Sequence, residues 1–186
     1  MKKIWILLLV AFFLVGCSSE ESTNTSVEQE TSIETENTEE ITMKENQTYA
    51  TMQTSKGTIK ILLYEETPIT TANFISLVEQ GFYNGLTFHR YEPGFVVQGG
   101  DPSGDGTGGS EKTIALELVG KSHSRGTLGM ARSSDPNSAS SQFFFNLADN
   151  SFLDSGYAVF GEVLEGLDVM DALRAGDTIT SVKLSS

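Results

Sequence analysis

From Thr48 onward the sequence predicts a mainly β domain: a closed eight-stranded antiparallel β-barrel accompanied by two α-helices. Two observations point there. Short apolar runs recur between clusters of Gly, Pro, Asn and Asp, the punctuation of an all-β chain. Only two stretches show helical spacing, and no repeated βαβ alternation is present. Closure into an antiparallel barrel is then the arrangement that leaves no free strand edge.

The elements follow in order. Tyr49 to Gln53 and Thr58 to Tyr64 flank Ser55-Lys56-Gly57 and read as a β-hairpin. Pro68 opens a helix in which Ile69, Ala72, Phe74, Ile75, Leu77 and Val78 form a stripe, with Gly81 as the stop. Further strands fit Phe88–Tyr91, Phe95–Gly99, Thr127–Ala131, Gln142–Asn146, Val159–Val163 and Ile179–Leu184, and a second helix fits Leu167–Arg174, closed by Gly176. Side chains alternate faces along a strand, so Gln142, Phe144 and Asn146 share one side and Phe143 and Phe145 the other. One set is expected in the core and the other along an external groove. Phe95 and Gln98 are three apart, so placing both in one groove calls for a bend or bulge between them.

The N-terminal quarter differs in kind. Lys2 and Lys3 precede an apolar run, Ile4 to Val15, followed by Gly16 and Cys17. A basic start, a short apolar core and small residues at the break describe an export signal, expected over residues 1–16. Twelve apolar residues fall short of the roughly 20 that span a bilayer. Cys17 is the only cysteine, and Leu14-Val15-Gly16-Cys17 resembles a bacterial lipobox, in which the cysteine is lipidated and becomes the mature N-terminus. Acyl chains there would anchor the protein, each buried methylene adding about 0.8 kcal/mol. Residues 17–46 alternate Glu with Ser, Thr and Asn and are expected to be a disordered acidic linker, since they bury too little to offset chain entropy. The expected localisation is extracytoplasmic, at the cell membrane of a bacterium. The net charge is −13 and no basic patch is visible, which argues against nucleic-acid binding.

Three blocks carry the chemistry: Phe88-His89-Arg90 with Pro93-Gly94-Phe95-Val96-Val97-Gln98-Gly99-Gly100-Asp101, then Gly126 to Arg132, then Ser141-Gln142-Phe143-Phe144-Phe145. In order and spacing they resemble the cyclophilin family of peptidyl-prolyl cis/trans isomerases, over residues 47–186. The resemblance implies a barrel capped by a helix at each end, and rotation of X-Pro bonds without cofactor or metal. Arg90 matches the family's catalytic arginine. Phe95, Met130, Phe144 and Leu153 match positions of the proline pocket. Gln98 matches a glutamine that binds the substrate backbone, Gln142 another groove-lining glutamine, and Ala131 and Arg132 the strand along which the peptide lies. Phe152 stands where many eukaryotic members have tryptophan, which puts cyclosporin-type binding in doubt, and Tyr157 stands at the usual pocket histidine. Arg132 replaces an asparagine and Val96 a methionine.

The implied partners are proline-containing polypeptides, bound by a monomer that assists folding of exported proteins. The alternative is a proline-peptide-binding chaperone or scaffold lipoprotein whose catalysis is incidental. Other signals weaken on inspection. Asp101-Pro-Ser103-Gly-Asp105-Gly106 opens like a calcium loop, but position twelve is Lys112 where a bidentate Glu is needed. Gly120-Lys121-Ser122 lacks the first glycine of a phosphate loop, Ala115 standing in its place. His89 and His123 are the only histidines and, with no cysteine in the domain, are read as satisfied structural residues rather than metal ligands. No Gly-x-Ser-x-Gly elbow supports a hydrolase.

Overall fold

The computed structural model describes residues 47–186. The expected signal peptide, the expected lipidation at Cys17 and the expected acidic linker fall on residues 1–46, outside the described residues. Eight strands form one antiparallel sheet: β1 (Thr48–Thr54), β2 (Gly57–Leu63), β3 (Arg90–Glu92), β4 (Val96–Gly99), β5 (Thr127–Met130), β6 (Phe143–Asn146), β7 (Val159–Glu165) and β8 (Ile179–Ser185). Two α-helices accompany them, α1 (Pro68–Glu79) and α2 (Leu167–Ala172). Strand order is β3-β4-β6-β5-β7-β2-β1-β8.

That order corrects the expected closed barrel. The sheet curls into an open half-barrel whose edges, β3 and β8, share no ladder. The seam holds one isolated bridge, Thr87↔Thr178, flanked by backbone bonds from Phe88 N to Asp177 O and from Ile179 N to Leu86 O. The reason is local. β3 is only three residues long, and the chain opposite its approach is the Arg174–Asp177 turn, where the Asp177 N–H bonds back to Arg174 O.

The core is aromatic. Phe143 meets Phe74 and Tyr83 edge-on, at centroid distances of 5.9 and 5.6 Å, and Phe145 at 5.7 Å. α1 brings Phe74, Leu77 and Val78 onto this cluster, and α2 contributes the fully buried Met170. Pro68 suits the first turn of α1, where its missing N–H costs nothing. The amides of Ile69 and Thr70, orphaned as at any helix start, donate to the Glu117 carboxylate at 3.0 and 2.6 Å. A cap 47 residues away in sequence thus pins α1 to the loop before β5. A 3-10 helix, Ser151–Leu153, joins β6 to β7 and had no counterpart in the sequence reading.

Candidate active site

The β3–β4 hairpin sets the first half of the site. Its register places Arg90 directly opposite Gln98, so both emerge side by side on one face. Arg90 Nη1 donates to Gln98 Oε1 at 3.3 Å, and Gln98 Nε2 donates to Gln142 Oε1 at 2.8 Å. Gln142 Nε2 in turn donates to the carbonyls of Gly106 and Gly108, at 3.1 and 2.7 Å. The three side chains form one directional rail from a guanidinium to a glycine loop, and such chains polarise one another. Arg90 Nε also lies 3.5 Å from Glu92 Oε1, and its Cζ sits 5.8 Å from the centre of the Phe95 ring. Its side chain stays 45 % exposed, so this weak surface ion pair leaves the guanidinium accessible.

Beneath Arg90 lies a cleft of about 160 Å³. Phe95, Val96 and Gln98 line one side of it, and Ala131, Arg132, Phe144, Leu153 and Tyr157 the other. Drug and cofactor pockets run to roughly 300–1,000 Å³. This one suits a single small ring. Phe95 precedes β4 in a turn closed by its own N–H on Glu92 O, so no bulge is needed to bring it beside Gln98. Val96 shares the Gln98 face by simple alternation; the motif reading named it only as a departure, yet it is part of the wall.

Phe144 makes the floor. Its ring is nearly parallel to the His123 imidazole, 5.7 Å away, and edge-on to Tyr157 at 6.0 Å. It fits because Gly129 opposite has no side chain; a Cβ there would collide with the ring. Ala131 continues the cleft wall past the end of β5.

Two expected residues, Met130 and Phe152, are placed differently. Met130 is 2 % exposed in the core cluster, on the Leu128 side of β5 and away from the cleft. Strand alternation sends Gly129 and Ala131 to the groove and Met130 inward. Phe152 is 70 % exposed and does not line the cleft; the 3-10 helix turns Leu153 in and leaves Phe152 stacked on Phe95 at the rim, centroids 5.7 Å apart. Gln142, expected along the groove, lines a larger adjoining cavity of about 380 Å³. The remaining Arg90, Phe95, Gln98, Ala131, Arg132, Phe144, Leu153 and Tyr157 come together as expected.

The histidines are not fully satisfied. His123 is wholly buried; its Nδ1 lies 3.0 Å from Asp154 Oδ1, while Nε2 has no partner among the described residues. Burial holds its imidazole below the usual histidine value, outweighing the Asp154 carboxylate, because a protonated ring would bury a second N–H without an acceptor. His89 also leaves Nδ1 unpartnered, and burial lowers it too. The Asp101 carboxylate, first residue of the would-be calcium loop, is filled from within by the amides of Ser103, Asp105 and Gly106.

A half-barrel that sets the Arg90–Gln98–Gln142 rail beside a small cleft walled by Phe95, Val96, Phe144, Leu153 and Tyr157 is the frame of a catalyst that grips and twists a bound chain. Residues 49–185 match the cyclophilin type peptidyl-prolyl cis-trans isomerase/CLD family. A peptidyl-prolyl cis-trans isomerase of Acinetobacter baylyi is 46 % identical over 144 residues, covering 72 % of this chain and 75 % of that protein. One from Helicobacter pylori is 44 % identical over 143 residues, covering 74 % and 87 %. The crystal structure of a cyclophilin type isomerase of Cryptosporidium parvum superposes with TM-score 0.71 at 27 % identity, covering 75 % of this chain and 98 % of that one. The chain belongs to the cyclophilin-type peptidyl-prolyl cis-trans isomerases and is an isomerase of X-Pro bonds.

Proposed function

We propose that this isomerase works outside the cytoplasm on exported polypeptides, as a monomer tethered by lipid on Cys17, with Arg90 as its catalytic residue. Support for the location is the leader of Lys2, Lys3 and Ile4–Val15, the Leu14-Val15-Gly16-Cys17 break, and an acidic spacer to residue 46 long enough to hold the domain off a membrane. Support for the role of Arg90 is its pairing with Gln98 across the hairpin, where both line a cleft that Phe95, Val96, Phe144 and Leu153 also wall. That pairing is the observation on which the reading rests.

An X-Pro bond resists rotation because amide resonance gives it double-bond character, with a barrier near 20 kcal/mol. In the twisted state resonance is lost and the prolyl nitrogen becomes a basic lone pair. Phe95, Val96, Phe144, Leu153 and Tyr157 grip the ring, which fixes one side of the bond. Gln98 and Gln142 hold the peptide backbone, and Ala131 and Arg132 border its path. The Arg90 guanidinium then donates to the nitrogen only when the lone pair appears, so it favours the twisted state over either planar one. Lowering the barrier by about 4 kcal/mol gives roughly a thousandfold. No proton leaves the enzyme and no covalent bond forms. A Cryptosporidium parvum relative was crystallised in the presence of the dipeptide Ala-Pro; we extend that ligand class to this cleft.

Two measurements test the proposal. In a protease-coupled X-Pro peptide assay, Arg90→Ala should lower kcat/KM at least about tenfold while the melting temperature holds, because the side chain is exposed. Equal turnover by the variant and the parent would remove Arg90 from the mechanism. Cys17→Ala should shift the protein from membranes to the soluble fraction, and unchanged membrane association would remove the lipid anchor.

A further inference from the structure

The 160 Å³ cleft and the 380 Å³ cavity beside it share one wall, made by Gln98, Ala131 and Arg132. Across both, the charged lining residues are two arginines and no carboxylate, in a chain whose net charge is −13. Arg90 has an acidic neighbour, Glu92. Arg132 has none: among the described residues no Asp or Glu lies within ion-pair distance of it. Neutral groups hold it instead. Its Nε donates to Gly156 O at 2.8 Å, its Nη1 to Ser133 O at 2.8 Å and Ser134 O at 3.4 Å, and its Cζ lies 4.8 Å from the centre of the Tyr157 ring. Carbonyls and a π-face fix the guanidinium without cancelling its charge.

A fixed cation with no acidic partner among the described residues, on the wall between a ring-sized cleft and a polar cavity, selects what enters that cavity. The rest of the cavity wall is Gly, Ser, Thr, Ala and Gln, which is neutral. We infer that Arg132 makes this enzyme prefer chains that carry a carboxylate side chain beside the proline, received in the larger cavity. The inference rests on reading the smaller cleft as the prolyl site. An extended chain advances about 3.3–3.6 Å per residue, so the shared wall limits the acidic residue to within about two positions of the proline. A lysine at the same position meets a like charge and is turned away.

The test uses the full chain and a set of short peptides with one proline, each bearing a single Glu, Gln or Lys at one of the two positions on either side. At low salt one position should show a kcat/KM ratio of Glu over Lys of about five- to tenfold, with Gln between, the size expected of one half-screened charge pair. The difference should lie mainly in KM and shrink to within about twofold near 1 M salt, where the Debye length is about 3 Å. Arg132→Gln should bring the ratio close to one, whatever its absolute rate. Because Arg132 also ties down Gly156, the salt series on the parent stands as a second measurement that needs no variant. If neutral peptides turn over but Glu and Lys peptides do so equally at every position, the inference fails and the isomerase reading stands. A preference that survives in Arg132→Gln assigns the selection elsewhere and overturns it as well. If even the neutral peptide is not isomerised, the reading of the cleft falls and takes the inference with it.

Discussion

Phe143 and Phe145 on one face of β6, and Phe144 on the other, are the same side chain one residue apart, yet their surroundings have little in common. Phe143 is wholly buried among Phe74, Tyr83, Phe88 and Phe145, all aromatic, with the Tyr83 hydroxyl, which donates to Ser141 O, as their one polar group. Phe144 is 5 % exposed and rests between an imidazole, a phenol and a glycine. The inner face needs volume and apolar character, which many sequences could supply. The outer face needs particular groups at particular places, because it is the floor of a cleft rimmed by the Arg90–Gln98–Gln142 rail. Stability and catalysis should therefore separate along one strand.

The largest effect should come from the inner face. Phe143→Ala opens a cavity at the centre of the aromatic cluster and should cost about 3–5 kcal/mol, read by denaturant unfolding. A loss below about 1 kcal/mol would mean that the cluster collapses freely and the contrast is overdrawn. Next comes the contact between the faces. Gly129→Ala puts a methyl group against the Phe144 ring, which cannot retreat because His123 is stacked on it. Overpacking of this kind costs about 1–3 kcal/mol, and here the displaced ring is the cleft floor, so kcat/KM should fall more than stability does. Unaltered kcat/KM alongside lowered stability would show that the floor tolerates displacement. Smaller again is the rail. Gln142→Leu removes the acceptor of Gln98 and the donor to two glycine carbonyls, at a stability cost near 1 kcal/mol. Turnover of X-Pro peptides should drop roughly three- to tenfold; full activity would reduce the rail to a surface network.

The same division governs what could be read from the chain. Strand and helix positions were legible because alternation and Gly or Pro punctuation are local signals, and the structure places all eight strands and both helices where those signals lie. The open seam was not legible, since it depends on the Arg174–Asp177 turn meeting Leu86–Phe88, an encounter of segments far apart in sequence. At the site, the resemblance put Met130 in the pocket. Alternation from Leu128, applied there, would have sent it to the core, where the structure has it. The same rule pairs Val96 with Gln98 and could have found that wall. His123 offered no local signal at all: it lies in the loop before β5, its partner Asp154 is 31 residues away, and the ring it supports lies on β6.

His123 also supplies the smallest effect and a way to sharpen the comparison, because it places an imidazole against the outer face, where the inner face offers only the Tyr83 phenol. Its folded-state value is lowered, first by burial and against the pull of Asp154. Between that value and the ordinary one near 6.5, the unfolded chain holds more protons than the folded one. Stability must therefore be fully present above about pH 6.5 and decline as pH falls through the folded value. Asp154, held below the usual carboxylate range chiefly by the His123 amide, adds a loss of the same sign at still lower pH. His89 is lowered by burial too and contributes in the same direction, so the bare acid slope does not isolate His123. His123→Phe does, since it keeps a flat ring under Phe144, leaves Asp154 its bonds from the residue 123 amide and Ser122, and cannot titrate. Urea unfolding from pH 8 to pH 5 should show a shallower decline for this variant than for the parent. Parallel curves would mean that the buried imidazole takes up its proton without loss of packing, and that the outer face is as indifferent to charge as the aromatic core is to polarity.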